Sequence, residues 1–115
     1  MPEWYTTYFD NLQYNGFKNS WHLFVILIKP DRLKINRDCF IEELKCRGIG
    51  TSVHFIPLHL QPYYADKYDY HTGDFPNSEM IFERVVSLPL YPKLSEEQII
   101  YIINAIRDIL EQFRL

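Results

Sequence analysis

Long apolar runs, an excess of basic residues and a signal peptide are all missing from this chain of 115 residues. Its longest unbroken apolar run covers residues 23–28, far short of the ~20 residues that cross a bilayer. The first residues have neither the basic nor the apolar region of a secretory signal. The net charge of -3 argues against a general nucleic-acid binder, which needs a basic face. We therefore expect a cytoplasmic protein with no membrane or nucleic-acid partner.

Cysteine and glycine are also scarce. The two cysteines, Cys39 and Cys46, fall in one predicted helix. Two helical turns separate them by about 10.5 Å along the axis, more than the roughly 4.4–6.8 Å between Cα atoms that a disulfide allows. We expect free thiols. With four glycines in the chain, no glycine-rich phosphate loop is expected either.

Aromatic residues, in contrast, are abundant at 17%, within a hydrophobic content of 47%. The length allows one domain. Residues 1–20 have no clear period and are predicted to form an aromatic-rich arm or linker, and residues 21–115 form the domain. The arm and the cluster Tyr63, Tyr64, Tyr68 and Tyr70 provide more apolar surface than a monomer normally exposes. They predict a homo-oligomer.

The hydrophobic pattern predicts an α+β fold. Strands are expected at 21–29, 51–56 and 85–90, the first of them central and covered on both faces. Helices are expected at 37–47, between Asn36 and Gly48 as caps, at 77–84, and from the capping box of Ser95 and Gln98 to the C-terminus. Residues 58–73 are expected to form an irregular loop with at most a short helical turn. We expect a small, mostly antiparallel sheet of three to four strands with the helices 37–47 and 96–112 packed on one face.

His54 and His59, on either side of Pro57 at a strand end, form the densest group of polar side chains. Three interpretations remain open: a metal site, for which no third ligand is in sequence reach; histidines satisfied by backbone carbonyls; or the wall of a ligand pocket. A polar residue just after the strand-ending proline is expected outside the core. No serine lies in a nucleophile-elbow context, and Cys39 fits a structural thiol better than a reactive one. The residues alone predict no catalytic or metal site.

Several segments, which occur in the same order along the chain, resemble the C-terminal domain of the DegT/StrS family of pyridoxal-phosphate-dependent aminotransferases. These enzymes act on nucleotide-linked keto-sugars. The resemblance runs from about residue 20 to 112 and rests on residues 20–25 (SWHLFV), 47–59 (RGIGTSVHFIPLH), 63–64 (YY), 75–79 (FPNSE), 87–92 (SLPLYP) and 94–97 (LSEE). No segment is diagnostic by itself. Their order and spacing together are specific.

The resemblance implies the small domain of a fold-type-I aminotransferase, a large pyridoxal-phosphate-binding domain that this chain lacks, and a dimer. By the same resemblance, His54, Phe55 and His59 are substrate-binding residues. Many relatives have Tyr where Phe55 stands, so no hydroxyl is available there. None of the six lysines (18, 29, 34, 45, 67 and 93) lies in the context of the family's cofactor-anchoring lysine. We therefore expect pyridoxal phosphate in the complete enzyme and none on this chain.

Two functions of different classes follow. The chain is either the C-terminal portion of a sugar aminotransferase, inactive by itself, or a stand-alone non-catalytic binding or dimerisation module derived from that domain. In the first case the complete enzyme transfers an amino group, typically from glutamate, to a nucleotide-linked keto-sugar for surface polysaccharide or related sugar biosynthesis.

Overall fold

Three short strands form one antiparallel sheet in the computed structural model, which describes residues 5–7 and 20–115. The strands are β1 (Tyr5–Thr7), β2 (Phe24–Ile28) and β3 (Val85–Leu88), in the order β1-β2-β3. Thr7 and Val86 flank Ile26 in the register. The apolar run at 23–28 thus supplies the central strand, as predicted.

The described residues also form four helices: α1 (Arg37–Cys46), α2 (Pro62–Tyr68), α3 (Pro76–Arg84) and α4 (Glu96–Gln112). Both predicted N-caps are present. The Asn36 side chain accepts a hydrogen bond from the N–H of Cys39, and Ser95 and Gln98 form a reciprocal capping box. Gly48, just after α1, has φ +73°, the left-handed conformation expected of a glycine at a helix end.

The core lies between one face of the sheet and the helices α1 and α4. Ile26 and Ile28 of β2 pack there with Phe40 of α1 and Ile109 of α4, all at most 1% exposed. Because side chains alternate along a strand, Val25 and Leu27 point to the opposite face, where they are only half-buried. The α+β fold with α1 and α4 on one face is therefore confirmed, whereas complete burial of both faces of β2 is wrong.

The strand predicted at 51–56 does not form. A single bridge joins Ser52 to Ser87, and the chain then leaves the sheet. Of the strands predicted within 21–115, two are present. The third strand of the sheet is β1, which falls in the segment predicted as an arm. The arm's other aromatic residues, Trp4, Tyr8, Phe9, Tyr14 and Phe17, lie outside the described residues.

The segment predicted to be irregular, 58–73, is more ordered than expected. It contains a 3₁₀ turn (Leu58–Leu60) followed by α2, which begins with Pro62 in its first turn and ends at Asp69 in the left-handed region. Proline suits the first turn of a helix because the N–H it lacks has no partner there. These two elements bring His59 close to α3.

Candidate functional site

An open cavity of about 980 Å³ lies on the face of the sheet that α1 and α4 leave uncovered. Val25 and Leu27 of β2 and Val85 of β3 form its floor, and Ile81 and Phe82 of α3 form one wall. The alternation of side chains along β2 creates this arrangement, because the same strand that supplies the core also supplies the floor.

The three residues assigned to the substrate by resemblance all line this cavity. His54 and Phe55 lie on the segment that leaves the sheet after Ser52, and their rings contact each other at 6.5 Å between centroids. Phe55 is 92% exposed. An apolar ring so exposed on a cavity rim is placed to contact a ligand or another protein surface.

His59 differs from the other two because it is buried, with 5% of its surface exposed. It lies outside the hydrophobic core, as expected, but its burial was not expected. The 3₁₀ turn after Pro57 directs the chain inward, and the imidazole packs on the ring of Phe75, 4.8 Å between centroids. Its Nε2 lies 2.8 Å from Oε1 of Glu79 in α3. A carboxylate therefore satisfies His59, not the backbone carbonyls that one interpretation proposed.

Glu79 is held from two sides. Besides His59, the backbone N–H of Gly73 donates to the same Oε1 at 2.8 Å. Gly73 has φ +99°, a conformation that side chains disfavour, so a glycine is suited to this position. The Gly73 N–H, followed by the His59 ring, lowers the pKa of the Glu79 carboxyl below its ordinary value of 4.5. Glu79 is thus ionised at neutral pH.

Sequence reasoning did not identify Glu79 as a functional residue. A carboxylate in the first turn of a helix is ordinarily explained by the helix dipole. Its pairing with His59 spans twenty residues of sequence. The available indication was its place in the segment 75–79, which carries part of the family resemblance.

A chain of aromatic contacts extends from the exposed surface of α2 to His59. Tyr63, Tyr64, Tyr68, Tyr70 and Phe75 contact one another in that order, with centroids 5.2 to 6.3 Å apart. The last four line the cavity. The wall is therefore aromatic, a surface that suits the apolar face of a ring-shaped ligand.

The cavity is poorly suited to anchor pyridoxal phosphate by itself. Among the described residues, no lysine and no arginine lines it, so it offers neither an amine for a Schiff base nor a cation for the phosphate. The capped N-terminus of α4 carries Glu96 and Glu97 in its first turn, and two carboxylates disfavour an anion. The cofactor therefore fits neither this cavity nor the N-terminus of α4.

Metal binding and membrane insertion find no support in residues 5–7 and 20–115. No group of three His, Cys, Asp or Glu side chains is arranged to hold a metal ion there. None of the helices in these ranges combines the length and the apolar character needed to cross a bilayer.

The sheet, the helix pair on one of its faces and the cavity on the other define the small domain of a fold-type-I aminotransferase. PseC of Helicobacter pylori, an aminotransferase involved in pseudoaminic acid biosynthesis, has this fold: it superposes with a TM-score of 0.80 over 97% of this chain and 29% of its own, at 23% identity. DesV of S. venezuelae superposes with a TM-score of 0.69 at 35% identity, over 79% of this chain and 23% of its own.

Residues 4–107 match the model of the DegT/DnrJ/EryC1/StrS aminotransferase family, and the chain belongs to that family. The match begins earlier than the resemblance at about residue 20. An uncharacterized protein of Methanocaldococcus jannaschii is 55% identical over 84% of this chain, and the spore coat polysaccharide biosynthesis protein SpsC of Bacillus subtilis is 41% identical over 82%. The chain spans about a quarter of the length of these curated relatives, 25% and 24% respectively.

Proposed function

We propose that this chain is the C-terminal portion of a pyridoxal-phosphate-dependent sugar aminotransferase. The observation that carries the proposal is the match of residues 4–107 to the aminotransferase family. The complete enzyme transfers an amino group, typically from glutamate, to a nucleotide-linked keto-sugar. Similarity to SpsC, a spore coat polysaccharide biosynthesis protein, supports a role in surface polysaccharide synthesis.

Within that enzyme, the chain supplies the substrate side of the active site. Phe55 and His54 stand on the cavity rim and His59 in its wall, with the aromatic contacts of α2 beside them. These side chains bind and orient a sugar and exclude water from it. We assign substrate binding to these side chains and catalysis to groups of the large domain.

The large domain is the first partner that this function requires. It provides the anchoring lysine and the phosphate site, since no lysine or arginine of the described residues lines the cavity of this chain. Spr1654 from Streptococcus pneumoniae, described as a putative sugar aminotransferase, has a similar structure in its pyridoxal phosphate form. It is 32% identical to this chain and superposes on it with a TM-score of 0.68. We propose that the cofactor binds the complete enzyme and not this chain alone.

We further propose a cytoplasmic homo-oligomer. Cys39 and Cys46 are free and exposed, as thiols are in a reducing compartment. Exposed aromatic residues on α2 and isoleucines on α4 provide surface for association.

One observation is compatible with the alternative, a stand-alone binding or dimerisation module, as well as with the complete enzyme. Ile99, Ile100 and Ile103 of α4 are 42–51% exposed, although all three are large apolar side chains. Such a surface is typical of a domain that is covered by another protein surface. The large domain and a second copy would both explain it.

The test compares two purified proteins. One is this chain alone, and the other is the longer product expressed from its gene locus together with the coding sequence just upstream. Each is mixed with pyridoxal phosphate, freed of excess cofactor, and followed by its visible absorption before and after glutamate is added. We expect glutamate-dependent bleaching for the longer product and no retained cofactor for the chain alone. A longer product without a large domain, or without bleaching, supports the module. Stoichiometric bleaching with the chain alone contradicts our assignment of the cofactor site.

A further inference from the structure

The hydrogen bond between His59 and Glu79 fixes which nitrogen of the imidazole faces the protein. An ionised carboxylate only accepts hydrogen bonds, so the Nε2 of His59, 2.8 Å from Oε1, must carry the proton that it donates. Glu79 is the only hydrogen-bond partner that the described part of the chain gives this ring. Nδ1 is therefore the nitrogen left to engage a ligand.

The ring has little freedom to turn. His59 is 5% exposed, its ring lies against that of Phe75, and the Gly73 N–H binds the carboxylate that accepts from Nε2. Such a second residue sets the orientation and the proton position of a histidine without touching its ligand.

We propose that Glu79 is a positioning residue that presents Nδ1 of His59 to the cavity as a hydrogen-bonding atom for a hydroxyl group of the substrate's sugar. The substrate class rests on the proposed function. The orientation of His59 rests on the geometry alone.

The walls of the cavity favour a neutral hydroxyl over a phosphate. Its floor is aliphatic, its wall aromatic, and no lysine or arginine of the described residues lines it. An anion would lack the permanent cation of a lysine or arginine there, whereas a sugar places its apolar face on Tyr64 or Phe82 and directs hydroxyls to the few polar atoms. A hydroxyl also suits either charge state of the imidazole, since it both donates and accepts.

The orientation is tested by NMR of the full ¹⁵N-labelled chain. We expect an observable, slowly exchanging Nε2–H resonance for His59 at neutral pH, because a buried N–H bonded to a carboxylate is protected from solvent. Glu79→Ala should abolish this resonance, and Glu79→Gln, which keeps an accepting oxygen, should restore it in part. Glu83→Ala is the matched control, since Glu83 is exposed on the same helix. A proton on Nδ1 alone, or a resonance unaffected by Glu79→Ala, overturns the positioning role.

The ligand contact is tested in the same spectra by titrating UDP-glucose and, separately, UDP. We expect UDP-glucose to shift the Nδ1 resonance of His59 and UDP to leave it unchanged. Equal shifts with both, or none with UDP-glucose, overturn the sugar contact. These outcomes do not depend on transamination. If the longer product of the gene locus is bleached by glutamate but His59 lacks the expected orientation, this inference alone is wrong. If the longer product is inactive but the spectra of His59 are as expected, the proposed function alone is wrong.

Discussion

The guanidinium of Arg37 lies over the ring of Phe82, 5.4 Å from its centroid. Its Nη1 also donates to the carbonyl oxygens of Phe82 and Val85 at 3.2 and 3.3 Å. One side chain at the start of α1 thereby satisfies the carbonyls where α3 ends and β3 begins. This contact fixes α3, and with it the cavity wall, to the core.

Arg37→Ala should lower the free energy of unfolding by about 1–3 kcal/mol, because it leaves partly buried carbonyls without a donor. Urea denaturation measures the change. Arg32→Ala is the control, since that side chain is 67% exposed and has one ion pair, at 3.8 Å, and its loss should cost less than about 0.5 kcal/mol. Equal effects of the two substitutions would contradict the role of Arg37.

The hydrogen bonds that the Glu79 carboxylate accepts from Gly73 and His59 predict a pH dependence of stability. Because its pKa is lowered in the folded state, its contribution is fully present above the ordinary value of 4.5 and is lost as the pH falls through the lowered value. The difference in unfolding free energy between the native chain and Glu79→Gln should therefore shrink between about pH 6 and pH 3. A difference that stays constant over this range, as we expect for the control Glu83→Gln, would show that the carboxylate is not stabilised by folding.

Phe55 gives the sharpest test of the cavity. The side chain is 92% exposed, so Phe55→Ala should change the free energy of unfolding by less than about 0.5 kcal/mol. In the complete enzyme it should raise the KM for the sugar substrate, because the rim loses an apolar contact. His59→Ala is a weaker test, since it also disrupts the pair with Glu79. Unchanged kinetics in Phe55→Ala would remove Phe55 from the site.

Both cysteines should react in the folded chain. Cys39 and Cys46 are exposed and free, two turns apart on α1. A thiol reagent such as DTNB should titrate both without denaturant, to the same end point as in urea. A native end point of one thiol, or none, would show that a cysteine is buried or paired.

Self-association should follow from the exposed tyrosines. Tyr63 and Tyr68 are 62% and 51% exposed on α2, an aromatic surface that favours contact with a second copy. Light scattering should give a mass that rises with concentration, and Tyr63→Ser should weaken the rise. Tyr91→Ser, at a tyrosine outside this cluster that is 48% exposed, should not. A monomer at all concentrations would contradict the proposal.

The sequence by itself determined the elements whose signals are local. Asn36 and Gly48 mark the start and the end of α1, and the capping box of Ser95 and Gln98 marks the start of α4. Each such signal acts within one helical turn, so its partners are visible in the sequence. The apolar run at 23–28 likewise indicated a central strand, because few other environments accommodate it.

Tertiary structure alone decided the parts that depend on distant partners. Residues 51–56 have a strand pattern, yet their pairing with β3 is limited to Ser52 and Ser87, and the third strand of the sheet is β1, which pairs with β2 at the opposite edge. His59 became buried because a turn after Pro57 brings it to Glu79, twenty residues away. Local propensity does not specify such a pair, since both residues are ordinarily exposed and only their mutual hydrogen bond makes burial favourable.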